Sequence, residues 1–374
     1  MSGSADVVII GAGIVGAACA LECAERGLRT IVVEQGSVGG GTTAAGMGHI
    51  VVMDDSPAQM ALTRYSQELW RSVDDRLPGN VEFDPCGTIW VAADEEEMAE
   101  VRRKHGVYAA AGVPTEILDA QNLAEAEPYL RRPLAGGLLV PEDAVLYPPG
   151  AAAWLMAEAA RAGAQLLRRN VIAAGRGVVR LDEGSEFHAA HIVNAAGADA
   201  PRITPGLPIR KRKGHLVVTD RYPGLVRHQL VELGYLKSAH ALTADSVAFN
   251  VQPRRTGQII VGSSRQFDAE DSAVDHRILS AMIERARLYL PKIGDLQSIR
   301  VWTGFRAATP DKLPLIGPWT EDETLWLAAG HEGLGITTSL GTAKLLADSL
   351  TGVAPAIALD PYLPRRFAGK VAHA

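Results

Sequence analysis

Three cysteines in 374 residues cannot build a disulfide framework, and an odd, low count points to a reducing compartment. Two of them, Cys19 and Cys23, fall four residues apart and so share one face of a helix. No further ligand types lie beside them, so they read as small core residues and no metal is expected. A run of about 18 apolar residues is also missing, which excludes a transmembrane helix. The apolar run Val7, Val8, Ile9, Ile10 breaks into glycines and follows no basic segment, unlike a signal peptide. The expected location is cytoplasmic, at most peripheral to the inner face of a membrane. Basic residues are not in excess: 37 Lys and Arg against 43 Asp and Glu give a net charge of −6. Such a balance supplies no global electrostatic reason to bind nucleic acid.

What the chain does have is room and apolar content for a large core, with 47% hydrophobic and 21% charged residues. Residues 7–10 form a β-branched apolar run that reads as a buried parallel strand. Residues 14–26 carry helical spacing, with Gly27 as the stop signal, and 28–33 read as a second buried strand. Together they make a βαβ unit. Helices are expected at 57–77, 94–111 and 149–162, with a strand at 88–92 and further strands around Val171 and at 191–196. From 208 to 305 the pattern is that of an antiparallel sheet (strands at 215–219, 246–251 and 258–261) interrupted by a helix near 275–290. The end returns to α/β style, with a strand at 325–329, a glycine-rich turn and a helix at 335–351. The fold class is α/β with an α+β substrate part: a Rossmann-like domain with an interleaved antiparallel-sheet domain. The expected division is 1–80, 150–207 and 305–374 for the nucleotide domain, and 81–149 and 208–304 for the substrate domain.

Gly11, Gly13 and Gly16 follow the first strand and open the first helix in the G-x-G-x-x-G spacing, around Ile14 and Val15. Gly11 allows the tight turn, Gly13 lets backbone approach a pyrophosphate, and Gly16 permits close packing of helix on strand. The helix N-terminus offers N–H groups and a positive dipole end. Glu34, with Gln35 beside it, ends the second strand, where a carboxylate accepts hydrogen bonds from ribose hydroxyls and repels the 2′-phosphate of NADP. This unit alone leaves NAD and FAD open.

The order of motifs resembles the D-amino-acid oxidase superfamily over nearly the whole chain. Residues 39–48, including Thr42, Thr43, Ala44, Gly46, Met47 and Gly48, are similar to the segment that lines the flavin ring there. Val193-Asn194-Ala195-Ala196-Gly197-Ala198 is similar to the second dinucleotide-contact strand and turn, and Val171 occupies the place whose backbone meets the adenine. Gly304-Phe305-Arg306 followed by Thr309-Pro310-Asp311 resembles the signature before the last flavin-binding turn. That turn is matched by Gly330-His331-Glu332-Gly333-Leu334-Gly335-Ile336-Thr337. The 40–49 and 331–335 stretches look most like catalytic β subunits of D-hydroxyproline dehydrogenase, dye-linked proline dehydrogenase and hydrogen cyanide synthase.

The resemblance implies FAD, and non-covalent FAD, because Ala307 and Ala308 stand where a flavin-linking cysteine follows the arginine in monomeric sarcosine oxidases. It implies hydride transfer from the carbon beside an amine to flavin N5, with the amino or imino acid carboxylate in the fork of Arg306. The helix expected from Gly335 would face the flavin N1 edge. His49 and His331 are candidate site residues, His215 reads as structural, and Glu332 has either substrate or backbone as partner. The basic run 210–213 reads as a solvated edge strand, or else faces a second flavin phosphate or a partner subunit. The implied function is a D-amino or cyclic imino acid dehydrogenase whose electrons leave through partner subunits or a quinone. The alternatives are a glycine or sarcosine oxidase using oxygen, a nicotinamide-dependent dehydrogenase, and a flavin-bearing scaffold subunit.

Overall fold

A computed structural model describes residues 2–234, 245–267 and 269–368. Two large sheets organise the chain. The first runs Leu315–Trp319, Asp322–Ala329, Glu186–Asn194, Ser2–Ile10, Thr30–Glu34, Gln165–Arg168 from edge to edge. Its inner strands pair in parallel, and only Leu315–Trp319 is antiparallel on this path. Val7, Val8 and Ile9 have no exposed surface, because both faces are covered. Helix Ile14–Glu25 packs with Pro148–Arg161 and Ser339–Thr351 on one face, and buries Cys19 and Cys23 there. The antiparallel pair Val171–Gly175 and Val178–Leu181 is attached to Glu186–Asn194 and closes part of the other face.

The second sheet runs Ser298–Ala308, Arg210–Arg221, Gln258–Arg265, Ser246–Pro253, Gln229–Glu232, Thr88–Ala92, Gly136–Val140, Glu116–Asp119. It is antiparallel except where Gln229–Glu232 lies parallel to Thr88–Ala92. Its side chains alternate by face. Phe249, Val251 and Val261 pack with helix His276–Tyr289 in one core, while Leu216 and Asn250 on the other face line a cavity.

Three expectations change. The last helix begins at Ser339, not near Gly335, because residues 335–338 form a turn that leads into it. Helix Pro57–Arg71 stops six residues short of 77, where a 3-10 turn at Asp74–Arg76 takes over. The basic run is not a solvated edge strand. It lies on Arg210–Arg221, second from the edge, and Arg212 and Lys213 are 5% and 3% exposed. Arg212 pairs with Glu332 and stacks on Phe267, while Lys213 reaches Asp271 at 3.0 Å and Lys211 reaches Asp199 at 2.7 Å. Charges drawn into a sheet interior persist there only when paired.

Candidate functional site

A cavity of about 390 Å³ runs between the two sheets and gathers nearly all the residues singled out above. At one end the chain leaves Ser2–Ile10 through Gly11, whose φ of +101° suits glycine. A Cβ on Gly16 would lie 2.0 Å from the Gly11 carbonyl oxygen, so the helix sits on the turn at a distance that only glycine permits. Gly13 caps the helix without a side chain, and no acidic residue occupies the first turn. The Ile14 N–H donates to Thr43 Oγ1 at 3.0 Å. The Glu34 carboxylate accepts from the Ala12 N–H at 2.8 Å and the Gly36 N–H at 2.7 Å, which fixes it at the strand end. Gln35, Val171, Ala196 and Gly197 line this end as well.

The 39–48 segment crosses from the first sheet to the second. The Gly39 N–H donates to Ala12 O at 2.8 Å, and Thr42 Oγ1 donates to Phe305 O at 2.9 Å. A Cβ on Gly304 would lie 2.3 Å from Ala45 Cβ, and one on Gly46 2.7 Å from Ile336. Gly48 is at φ +106°, and a Cβ there would lie 1.9 Å from Leu146 O. The final turn is held from three sides. The Glu332 N–H donates to Ala307 O at 2.8 Å, Trp70 Nε1 donates to Ile336 O at 3.3 Å and Thr337 O at 3.2 Å, and Thr337 Oγ1 donates to His49 O at 2.8 Å. Glu332 is left-handed at φ +50°, a conformation that costs about 1–2 kcal/mol and is met at over-determined sites.

Arg306 stands where these segments meet. Its strand position pairs with Arg212, and Gly304 pairs with Gly214. The side chain crosses Gly214, where a Cβ would lie 2.6 Å from Nη1, and Nη1 donates to Ser264 O at 2.9 Å. Gly333 flanks it on the other side, with a notional Cβ 3.6 Å from Nε. His49 lines the same chamber, and burial pushes its pKa down to about 4, with the Arg306 cation acting in the same direction. It is a neutral imidazole at physiological pH. His331 is likewise lowered to about 4 by burial, and its Nε2 lies 3.0 Å from Thr342 Oγ1 of the last helix. His215 also lines the cavity and is fixed by two bonds: Nδ1 lies 3.0 Å from Ser264 Oγ and Nε2 accepts from the Asp275 N–H at 3.0 Å.

Of the candidate substrate and cofactor residues, Gly16, Ala44 and Thr337 stand behind the cavity wall and the others line it, while Val193, Asn194, Thr309, Pro310 and Asp311 of the quoted motifs do not line it. Sequence reasoning missed Gly214, Gln229, Asn250 and Ser263, which also line it. Gly214 carried a signal, since a glycine inside a strand marks close approach by another group. Gln229 and Asn250 carried a fainter one, as polar residues at inward positions of apolar strands.

The residues present fit a dinucleotide with a flavin at the second end. The helix N-terminus is free of acidic side chains, the two tight glycines leave no room for a Cβ, and Glu34 is set at the strand end. No group of three or more metal-ligating side chains occurs among the described residues, and no helix there is long and apolar enough to cross a membrane.

Comparison with known proteins agrees. A family model described as FAD dependent oxidoreductase (DAO) matches residues 6–349. Glycine oxidase of Geobacillus kaustophilus (strain HTA426) is 28% identical over 382 residues, covering 98% of each chain. The crystal structure of glycine oxidase from that species matches with a TM-score of 0.86 at 27% identity, covering 97% of this chain and 99% of that one. Hydrogen cyanide synthase subunit HcnC of Pseudomonas aeruginosa is 26% identical over 424 residues, covering 98% of this chain and 97% of the subunit. L-Proline dehydrogenase from P. horikoshii shares the fold, with a TM-score of 0.86 at 24% identity over 98% of this chain and 99% of that one. The chain belongs to the FAD dependent oxidoreductase (DAO) family and is an FAD-dependent oxidoreductase acting on amino acid or amine C–N donors.

Proposed function

We propose that this chain is a dehydrogenase for a D-amino or cyclic imino acid, of the D-hydroxyproline or D-proline type, that converts it to the imine. The observation that carries this reading is the placement of Arg306 across Gly214 at the junction of the two sheets. A guanidinium fork there binds a carboxylate through parallel hydrogen bonds and fixes the α-carbon. FAD, when bound, takes up the hydrogen and electron pair lost by the carbon beside the nitrogen.

The chain's own residues supply binding and orientation. Gly11, Gly13, Ile14, Val15 and Gly16 present the helix N-terminus to the pyrophosphate, with Thr42 and Thr43 alongside. Glu34 and Gln35 face the ribose, and Val171, Ala196 and Gly197 the adenine half. Met47, Gly48, Gly330, Gly333, Leu334, Gly335 and Ile336 enclose the flavin ring. Ala44 and Thr337 support that wall from behind. His49 serves as an uncharged polar group in the chamber, and His331 positions the last turn through Thr342. Attachment of FAD is non-covalent, since alanines follow Arg306. The nucleotide half comprises 1–80, 150–207 and 305–374, and the substrate half 81–149 and 208–304. Electrons leave to a partner subunit or a quinone, a reading supported by the likeness to a protein named as a synthase subunit.

A second reading, an oxidase of glycine or sarcosine that reduces oxygen to peroxide, is favoured by the 28% identity to a glycine oxidase. Anaerobic reduction by D- and L-proline, the hydroxyproline epimers, glycine and sarcosine, followed by oxygen, separates the two. Reduction by glycine or sarcosine with fast reoxidation and peroxide sinks the dehydrogenase. Reduction by an imino acid with slow reoxidation supports it.

A further inference from the structure

Beyond Arg306 the cavity carries four uncharged polar side chains, Thr88, Gln229, Asn250 and Ser263, whose oxygens are left without partners among the described residues. Gln229, Asn250 and Ser263 are 3%, 8% and 4% exposed. Gln229 Oε1, Asn250 Oδ1 and Ser263 Oγ are buried and have no hydrogen-bond partner among the described residues. All three line the cavity. They are also neighbours in the sheet. Asn250 pairs with Val231 on one side and Gly262 on the other, so Gln229 lies two residues along the same face and Ser263 directly follows Gly262. The patch adjoins the arginine, whose Nη1 bonds to the carbonyl of Ser264, the next residue.

Buried polar groups are satisfied in the great majority of cases, and these three neighbouring exceptions, with Thr88 Oγ1 and Trp90 Nε1 orphaned on the adjoining strand, call for a ligand. Two carbonyl oxygens need a donor, and a hydroxyl both donates and accepts. A ligand hydroxyl answers both needs at once, giving its proton to an amide oxygen and taking one from Ser263. None of the three bears a charge, so a charged group gains no ion pair from them. Val231, Leu216 and Met47 supply apolar walls around them.

We propose that Gln229, Asn250 and Ser263 form a specificity subsite for a hydroxyl on the side chain or ring of the substrate, so that hydroxylated amino or imino acids are preferred over their deoxy counterparts. This rests on the reading of Arg306 as the carboxylate anchor. A site built to hydrogen-bond a hydroxyl rejects the analogue that lacks it far more strongly than an apolar pocket rejects an added one.

The test is anaerobic flavin reduction of the holoenzyme by matched pairs of one configuration: 4-hydroxyproline against proline, and serine against alanine. The wild type is expected to favour the hydroxylated member of the better pair at least tenfold in kcat/KM. Asn250→Leu and Gln229→Leu are each expected to reduce that preference at least fivefold, with Asn250→Thr as the milder change. A wild-type ratio near one overturns the proposal without any variant, as does an equal loss of both members in the variants. Failure of the underlying reading looks different: Arg306→Ala would then leave reduction by both members unchanged.

Discussion

Gly214→Ala tests how Arg306 is held. The added methyl would lie 2.6 Å from Nη1 and 3.1 Å from Cζ of Arg306, closer than carbon and nitrogen approach without a bond. The obstacle is the far end of a flexible side chain, so the guanidinium moves and the backbone stays. Global stability should change by no more than about 1 kcal/mol, since replacing a strand glycine itself recovers roughly 0.5–1 kcal/mol. The displaced fork forfeits Ser264 O and its alignment with a substrate carboxylate. Charge-assisted hydrogen bonds contribute about 1.5–3 kcal/mol, which corresponds to a loss of about 10- to 100-fold in kcat/KM. The assay is anaerobic flavin reduction in wild type, Gly214→Ala, Arg306→Ala and the double variant. Because Gly214 acts only through Arg306, the double variant should be no worse than Arg306→Ala alone. Additive losses, or normal kinetics in Gly214→Ala, would refute the reasoning.

Gly16→Ala places a methyl 2.0 Å from a backbone oxygen that cannot swing away, so the purified protein should carry little flavin absorbance; full flavin content would contradict the packing. Arg212→Met leaves Glu332 without its ion-pair partner in the last turn and should cost about 3–5 kcal/mol in denaturant unfolding. Stability should also respond to pH in two opposed ways. His331, held near 4 when folded and near 6.5 when unfolded, contributes stability that is present above 6.5 and lost as pH falls towards 4, about 3 kcal/mol in all. Asp143 is raised to about 7 by burial, so its contribution is complete below 3.8 and lost as pH rises through 7. Thermal melts of Asp143→Asn should therefore decline less than wild type between pH 4 and 7, and a parallel pair of curves would count against the assignment.

The strand-turn-helix of residues 7–25 was legible because local chemistry decides it: a β-branched run, glycines at fixed spacing and a glycine stop; the strand itself starts five residues earlier, at Ser2. The end of the last turn was not. Helical spacing continues through Ile336 and Thr337, but Trp70 and His49 hold those residues in a turn from distant parts of the chain. The basic run failed for a related reason. Arg210 and Lys211 are indeed exposed, but Arg212 and Lys213 look solvated only until tertiary structure brings Glu332 and Asp271 to them. Arg306 was visible through its neighbours in sequence, whereas Asn250 and Gln229 gain their meaning only from strands that pair across the sheet.

The most direct measurement compares anaerobic flavin reduction by an amino acid substrate with reduction by its primary amide. The account predicts that wild type reacts with the acid at least tenfold more efficiently, and that Arg306→Ala loses this discrimination while retaining its flavin. Equal reduction by acid and amide in the wild type would show that no carboxylate is held at Arg306.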